Sequence, residues 1–360
     1  MPKRNLYSKV SDFFKIVLND PQRKSLPVII SQYLKYLISD RALAQQYFAK
    51  FLYRKGIENH HEYMVTHKIQ GLCWDLNDKD FVSILDNKFL FELFCGLHNI
   101  SSVKSYAYNI NSLFFTGEKI EQITTLDAFE AYLKRLLALN KKSPYLFIKR
   151  TAGSGGGKNI YRISADDLSE GNKFSTELFG HVLASGYVFQ EAVVQHADID
   201  KINPYCLNTM RWETFTNKES GTRVMGGVFR IGLNNSYIDN TSSGGVYLGI
   251  DMESKCLKRE AFSDFTNGRA KTYYEHPFTK VKFEGIKVPY FDEIVELITK
   301  AGSALPQIKI VGWDVAVTPE GPILIEGNEL PSLMFEDIAQ NGLRRNPVFM
   351  DMYKEVADKI

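Results

Sequence analysis

Residues 310–328 read IVGWDVAVTPEGPILIEGN, two apolar runs separated by a turn that contains Pro319 and Gly321. A turn of this kind between two apolar runs predicts a β-hairpin. If the strands pair symmetrically about residue 320, three cross-strand pairs follow: Val317 with Ile323, Val315 with Ile325, and Asp314 with Glu326. The apolar pairs would then occupy one face of the hairpin, and the acidic pair would occupy the other.

The acidic face of this hairpin predicts a metal site. Glu326 and Asn328 are two residues apart, so their side chains leave the same face of a strand, opposite Asp314. Two carboxylates that face each other across a strand pair repel unless a cation lies near them. Oxygen donors of this kind suit Mg²⁺, which keeps its remaining positions for phosphate and water. We therefore predict that Asp314, Glu326 and Asn328 bind Mg²⁺.

A glycine-rich loop lies farther upstream, where residues 151–158 read TAGSGGGK between two strand-like runs. Four glycines in five residues let backbone N–H groups approach a phosphate without obstruction by Cβ atoms. The loop is not a Walker A motif, because Ala152 and Asn159 occupy positions that need glycine and Ser/Thr. Lys158 stands at the third glycine of the Rossmann pattern, and no kinase His-Arg-Asp or Asp-Phe-Gly is present. Two interpretations of this loop remain: a flap that covers a nucleotide, or an ordinary glycine-rich hairpin turn.

Composition and charge exclude several classes of protein. The 360 residues are 44% hydrophobic, and no apolar run approaches the roughly 20 residues of a membrane helix. The N-terminus lacks the apolar stretch of a signal peptide, and the four cysteines are scattered, so we expect a cytoplasmic protein without disulfides. Residues 1–60 contain 11 Lys/Arg and 4 Asp/Glu, a balance of +7 within a net charge of +2. This basic portion suits an anionic partner or an ordinary solvated helix surface.

The pattern of apolar residues predicts an α+β protein with a helical N-terminal region. In residues 1–75, Leu6 to Leu18 and Leu43 to Leu52 contain apolar residues at helical spacing, the second stripe ending at Lys55-Gly56. Further helices are expected at 86–97 and about 290–303. Strands are expected near 106–115 and at 145–148, 159–163, 187–195, 208–216, 223–231, 246–250, 309–317 and 322–327. This reading gives a helical N-terminal region, residues 1–85, followed by an α+β body.

Taken together, residues 86–335 resemble the ATP-grasp enzymes, and most specifically the sugar-transfer-associated ATP-grasp family, which is related to α-L-glutamate ligases. The resemblance rests on the order of several motifs rather than on any one of them. Besides the loop and the hairpin, these motifs are Asp86-Asn87-Lys88, Gln190-Glu191, Gln195-His196, Asn203-Pro204, Asn208-Thr209-Met210-Arg211, Arg230-Ile231-Gly232, Asp239-Asn240, Gly244-Gly245, His276-Pro277 and Val288-Pro289-Tyr290. It implies the ATP-grasp fold, in which two α+β subdomains (here 86–195 and 196–360) clamp ATP.

The resemblance also implies roles for individual residues around ATP. Lys149 would contact phosphate and adenine, Gln190, Glu191 and the Val193 backbone would line adenine, and His196 would lie near ribose. The flap residues over the phosphates would be Ser154, Gly155, Gly156, Gly157 and Lys158. Lys88 matches a phosphate-binding lysine of some relatives, although Asn87 interrupts the usual Asp-Lys pair.

The reaction implied is the ADP-forming ligation of a carboxylate and an amine through an acyl-phosphate. Arg211 and Arg230 would act on the transferring or acceptor phosphate, because fixed guanidinium groups suit developing phosphate charge. Asn240 would bind phosphate or support another phosphate ligand, since it resembles the Asn that follows the catalytic Arg in peptide-forming glutamate ligases. The implied substrates are an acidic sugar or other carboxylate and an amino acid or similar amine, used in surface-polysaccharide biosynthesis. The implied cofactors are ATP and Mg²⁺. The enzyme would associate peripherally with glycan assembly machinery, and no nucleic-acid partner is expected. An ATP-dependent phosphotransferase and a non-catalytic binding module remain alternatives.

Overall fold

The computed structural model describes residues 15–40, 45–64, 66–153, 159–168, 173–233, 244–265 and 271–357. Its helices are α1 (Leu26–Asp40), α2 (Gln45–Ala49), α3 (Thr66–Leu76), α4 (Ser83–Asp86), α5 (Lys88–Leu97), α6 (Leu126–Leu139), α7 (Lys173–Leu183), α8 (Ala197–Asp200), α9 (Phe291–Ala304), α10 (Leu333–Ala339) and α11 (Pro347–Ala357). Its strands are β1 (Ser105–Ile110), β2 (Leu113–Thr116), β3 (Lys119–Gln122), β4 (Leu146–Arg150), β5 (Ile160–Ile163), β6 (Gly186–Glu191), β7 (Met210–Asn217), β8 (Gly221–Ile231), β9 (Val246–Asp251), β10 (Cys256–Ser263), β11 (Thr272–Tyr273), β12 (Ile310–Thr318) and β13 (Gly321–Asn328).

The strands form two antiparallel sheets, which confirms the α+β prediction. The smaller sheet has the order β3-β2-β1-β6-β4-β5, and the larger sheet has the order β11-β10-β9-β8-β7-β12-β13. In the smaller sheet, β4 and β5 form the edge hairpin on either side of the glycine-rich loop. In the larger sheet, the predicted acidic hairpin β12–β13 forms the opposite edge and pairs with β7.

Each sheet has its own apolar core. Helices α6 and α7 cover the smaller sheet, where the rings of Phe114, Phe129 and Phe189 pack together. The larger sheet has Trp212 and Trp313 in cross-strand register, both fully buried, and the ring of Trp212 meets Phe291 of α9 edge to face. Apolar burial of this extent is the main stabilising contribution to both halves.

Helix α5 belongs to the core of the larger sheet. Phe91, Phe94 and Cys95 lie in that core although the sequence places them ahead of the smaller sheet. The expected helix at 86–97 is two helices, because Asn87 ends α4 and caps α5 by accepting hydrogen bonds from the N–H groups of Phe89 and Leu90. Helix α5 also contacts the smaller sheet, where the ring of Phe89 lies 4.1 Å from that of Tyr108 of β1, so it links the two sheets.

The helical N-terminal region is anchored on α10 by a buried ion pair. Lys50 donates to the Asp337 carboxylate, and neither side chain is exposed. Asp337 also accepts from the N–H groups of Met64 and Leu343, at 3.1 and 2.7 Å. The second N-terminal stripe is only partly helical: α2 ends at Ala49, since Phe51 adopts a left-handed conformation (φ 59°). The prediction of a helix reaching Lys55 was therefore wrong, and the first stripe lies largely outside the described residues.

Removal of the Lys50 charge should destabilise the protein strongly. Lys50→Met leaves the Asp337 carboxylate buried without its cation, and breaking one side of such a pair costs about 3–5 kcal/mol. Urea unfolding followed by circular dichroism measures the free energy of unfolding. The control is Lys354→Met, which removes an exposed partner of Asp351 and should change that free energy by less than about 1 kcal/mol. Equal losses in the two variants would contradict the anchoring role.

Candidate active site

A cleft of about 410 Å³ lies between the two sheets. One wall is the β4–β5 hairpin, the opposite wall is the acidic hairpin β12–β13, and the connector (residues 191–195) closes one end. The residues that line it include Lys88, Phe147, Lys149, Ile160, Glu191, Val193, Thr209, Arg230, Asp314, Ile325 and Glu326. The cleft is therefore lined both by apolar side chains and by a group of charged side chains.

A larger groove of about 850 Å³ lies on the other side of the connector. Leu93, Leu97, Lys142 and Glu320 line it, and it shares residues 191–194 with the cleft. It contains neither the acidic pair of the hairpin nor an arginine. The smaller cleft is therefore the better candidate for chemistry.

The acidic pair is formed as predicted, but the rest of the hairpin register was predicted wrongly. Asp314 pairs with Glu326, whereas Val317 pairs with Pro322 and Val315 with Leu324. The turn is tighter than expected, because Thr318 already pairs with Gly321, whose φ of 127° suits glycine alone.

An extra residue at position 325 restores the register beyond the turn. The pairing shifts between Asp314 and Val315, so Ile325 lies in a β-bulge. In a regular strand, consecutive side chains point to opposite faces. Here both Ile325 and Glu326 line the cleft. The bulge thus adds an apolar side chain to the cleft without displacing the acidic pair.

Asp314 is held by two arginines from neighbouring strands. Arg211 of β7 lies directly opposite and donates through Nε to Oδ1, while Arg230 of β8 donates through Nη2 to Oδ2 at 2.6 Å. Arg230 also donates to Thr209 Oγ1. Burial would raise the pKa of Asp314, but the two guanidinium groups outweigh it and hold that pKa well below its ordinary value. Asp314 is therefore ionised and fixed in place.

Gly312 provides the space that Arg211 occupies. A Cβ atom at Gly312 would lie 2.8 Å from Cβ of Pro331 and 3.1 Å from Cδ of Arg211. Real Cβ atoms essentially never approach another atom as closely as the first distance. The absence of a side chain here leaves room for the Arg211 side chain, which bonds to Asp314.

Glu326 faces a lysine from α5. Lys88 Nζ lies 3.9 Å from Glu326 Oε2, and the Asn87 cap fixes the start of the helix that bears Lys88. Burial and then the negative charge of Asp314 raise the pKa of Glu326, while Lys88 opposes this rise. Asn87, which interrupts the expected Asp-Lys pair, is therefore the residue that positions Lys88.

The family profile described as sugar-transfer associated ATP-grasp matches residues 70–348. The chain belongs to this ATP-grasp family. The resemblance stated from the motifs is thus confirmed, and no curated protein matches the chain.

Solved structures with the same general fold share little sequence with this family member. D-alanyl-alanine synthetase A from Vibrio cholerae is 13% identical over 77% of this chain and 65% of its own, with a TM-score of 0.45. N5-carboxyaminoimidazole ribonucleotide synthetase is 11% identical over 80% of this chain and 59% of its own, with a TM-score of 0.42. D-alanine–D-alanine ligase from Bacillus anthracis is 13% identical over 84% of this chain and 77% of its own, with a TM-score of 0.43. The chain spans less than two thirds of the first two structures.

The predicted nucleotide residues of this ATP-grasp chain fall into three groups. Lys149, Glu191 and Val193 line the cleft. Gln190 and His196 do not: the Gln190 amide points to Ser105 Oγ at 3.4 Å, and His196 caps α8. The flap residues Ser154, Gly155, Gly156, Gly157 and Lys158, together with Asn240, lie outside the described residues.

Several residues of the cleft were not predicted from the sequence. Phe147 lies two residues before Lys149 on β4 and lines the cleft with it, a signal that strand alternation could have provided. Thr209 and Ile325 also line the cleft. Ile325 could not be found this way, because only the bulge turns it toward the cleft.

The predicted magnesium ligands share one face of the hairpin. Asp314 faces Glu326, and Asn328, two residues farther on, pairs with Gly312 and donates from its amide nitrogen to Gly312 O at 3.3 Å. Because its nitrogen is bonded to Gly312, Asn328 can offer its amide oxygen Oδ1 to a metal, although Asn328 does not line the cleft. In the described part of the chain no three His, Cys, Asp or Glu side chains gather as a metal site. The set of two carboxylates and one amide fits the oxygen preference of Mg²⁺.

A second carboxyl pair lies buried behind the cleft. Glu213 follows Arg211 on the same face of β7, and Glu336 of α10 lies over Gly226, where a Cβ atom would come within 1.9 Å of Oε1. Burial and then the charge of Glu336 raise the pKa of Glu213 well above its ordinary value. Burial raises the pKa of Glu336 to about 7, against the effects of Glu213, Gln340 and Lys258. The pair therefore retains a proton at neutral pH.

Gly312→Ala should displace Arg211 from Asp314. The Nε–H of Arg211 is bonded to Asp314 and that of Arg230 to Thr209, so both should give slowly exchanging signals in arginine-detected NMR spectra. We expect Gly312→Ala to abolish the Arg211 signal and retain the Arg230 signal. Gly71→Ala is the control, because a Cβ at Gly71 meets no atom within 4 Å, and it should retain both signals. Retention of the Arg211 signal in Gly312→Ala would contradict the packing argument.

The Glu336 carboxyl should make stability fall as the pH rises. The folded protein keeps this proton up to about pH 7, whereas the unfolded chain loses it near 4.5, so its stabilising effect is complete below 4.5 and is lost through pH 7. The change is on the order of 3 kcal/mol at about 1.4 kcal/mol per pKa unit.

Urea unfolding at several pH values between 4.5 and 8 measures this effect. Glu336→Gln cannot ionise, so its free energy of unfolding should vary less over this range than that of the unmodified protein. Glu284→Gln, at an exposed position, should match the unmodified protein. Parallel curves for all three proteins would show that Glu336 does not titrate in this way.

Proposed function

We propose that this protein is an ATP-dependent, ADP-forming carboxylate–amine ligase. The observation that carries the proposal is the set of charges at the inner end of the cleft. Lys88, Arg211 and Arg230 contact the two carboxylates Asp314 and Glu326, and Lys149 lines the facing wall. Arg211 lies beside Asp314 but does not line the cleft, whereas Lys88, Lys149 and Arg230 do. Cations thus surround the hairpin carboxylates, an arrangement that suits a triphosphate.

The apolar side chains of the cleft suit a nucleobase. Phe147, Ile160 and Ile325 present apolar surface, and residues 192–194 of the connector are apolar as well. A flat base needs apolar contact on its faces and a few polar groups at its edge. Glu191 and the connector backbone can provide that edge, as the family pattern implies.

The hairpin carboxylates and Asn328 are the proposed Mg²⁺ ligands. A bound Mg²⁺ would neutralise charge on the β- and γ-phosphates of ATP. Asp314 stays ionised at any pH near neutral because of its two arginines, so its oxygens can serve as donors without loss of a proton. Glu326 is near Lys88 and Asp314, and its raised pKa would return toward the ordinary value beside a cation.

The arginines are the groups proposed to act on the transferring phosphate. In the first step a substrate carboxylate oxygen attacks the γ-phosphorus of ATP, the bond to the β-phosphate oxygen breaks, and ADP leaves. In the second step an amine nitrogen attacks the acyl carbon, the bond from that carbon to the phosphate oxygen breaks, and phosphate and the amine proton leave. Neither step needs a nucleophile from the protein. Guanidinium groups fixed by Asp314 and Thr209 can stabilise negative charge without reorganising.

The substrate class rests on the family name. We propose that the carboxylate is an acidic sugar, that the amine is an amino acid or similar compound, and that the product belongs to a surface polysaccharide. The family description, sugar-transfer associated, and the basic balance of residues 1–60 support this choice.

A coupled assay of ADP formation tests the function. The purified protein with ATP and Mg²⁺ should release ADP only when both a uronic acid and an amine are present. Asp314→Asn should lower turnover by about 10²-fold or more, because it removes a proposed metal ligand and the anchor of both arginines. Asp292→Asn, at an exposed ion pair with Lys255, is the matched control and should retain turnover. ADP release with a single hydroxyl acceptor would indicate a phosphotransferase instead.

A further inference from the structure

Helix α1 packs against the protein through one narrow face only. Ile29 and Tyr36 are buried, and Gln32 and Tyr33 are partly buried between them. The spacing of these residues places them in one stripe along the helix. The rest of the helix surface, at the positions whose side chains are described, is exposed.

The exposed side of α1 is apolar instead of polar. Leu26, Ile30, Leu34, Leu37 and Ile38 recur at helical spacing and form what we call the α1 apolar face. Their exposed fractions are 44%, 57%, 49%, 38% and 74%. Single exposed apolar residues are common on protein surfaces, but a continuous row of five marks an interaction surface.

Positive charge lies beside this face. Lys35 is the one charged residue among the described side chains of α1, and it is exposed. Burial is the main cause that lowers the pKa of the nearby His60, and the charge of Lys35 contributes to that lowering. Of the two acids nearby, Asp20 is paired with Arg54 at 2.7 Å, and the charge of Glu58 acts on the buried Lys24. An anionic partner therefore complements this surface.

We propose that the α1 apolar face binds the surface of an anionic lipid membrane. None of the helices in the described residues is long and apolar enough to cross a membrane. The 15 residues of α1 extend about 22 Å, less than the roughly 30 Å of a bilayer core, so the helix would lie in the interface. Apolar side chains would enter the acyl boundary while Lys35 meets the lipid headgroups.

Charge favours a membrane over a second copy of the chain. In a two-fold contact through this face, each helix would bring its own exposed Lys35 toward the other copy. Like charges facing each other oppose such a contact, whereas anionic lipids attract them. The proposal does not depend on the ligase reaction, and its test contains no nucleotide.

Vesicle co-sedimentation of the full chain tests the proposal. Binding to vesicles of 70% phosphatidylcholine and 30% phosphatidylglycerol should exceed binding to pure phosphatidylcholine and should fall with added salt. The double variant Ile30→Glu/Ile38→Glu should lower the partition coefficient by about tenfold or more. Leu97→Glu is the matched control, because Leu97 is 79% exposed on α5, and it should bind as the unmodified protein does.

Three results would overturn the proposal. The first is failure of the unmodified protein to bind anionic vesicles, or equal binding by the double variant. The second is a dimer, seen by light scattering, that the double variant dissociates, which would show that a second copy covers the face. The third is a marked fall in Tm of the double variant relative to Leu97→Glu, which would show that the face is covered within the chain.

Discussion

The site depends on one buried carboxylate that joins three strands. Asp314 of β12 accepts from Arg211 of β7 and Arg230 of β8, which lie 103 and 84 residues away in sequence. A buried carboxylate needs compensating charge, and a buried guanidinium needs an acceptor. The three groups satisfy each other and keep Asp314 ionised. The pairing of β8, β7 and β12 therefore fixes where Asp314 and its two arginines lie at the cleft.

This arrangement explains why the chain can hold so many charges at one place. Lys88 approaches Glu326 from α5, and the carboxyl pair behind Arg211 remains partly protonated, so no acid adds uncompensated charge there. Basic side chains therefore surround the hairpin carboxylates, an arrangement that suits the proposed phosphate and metal. The α1 apolar face lies on a separate helix, so membrane binding would orient the protein without using cleft residues.

Sequence reasoning succeeded where local periodicity is decisive. The hairpin at 310–328 was found from two apolar runs and a Pro/Gly turn, and strand alternation placed Asp314 opposite Glu326. It failed where the backbone departs from a regular repeat. The tight turn at Thr318 and Gly321 moved the apolar pairs by one residue, and the bulge at Ile325 moved the acidic pair back. The agreement at Asp314 therefore depends on a compensation that no periodicity reveals.

The sequence alone determined the family, the α+β class and the presence of an acidic hairpin, because motif order and side-chain alternation are properties of the linear chain. Only the tertiary structure decided which charges meet. Arg211 and Arg230 were expected to contact phosphate, and the strand order β8-β7-β12 brings both to Asp314. Likewise, Lys88 reaches Glu326 only because Asn87 starts a helix at that point and the helix packs on the larger sheet. Contacts between distant segments follow from strand order and helix packing, which local patterns do not encode.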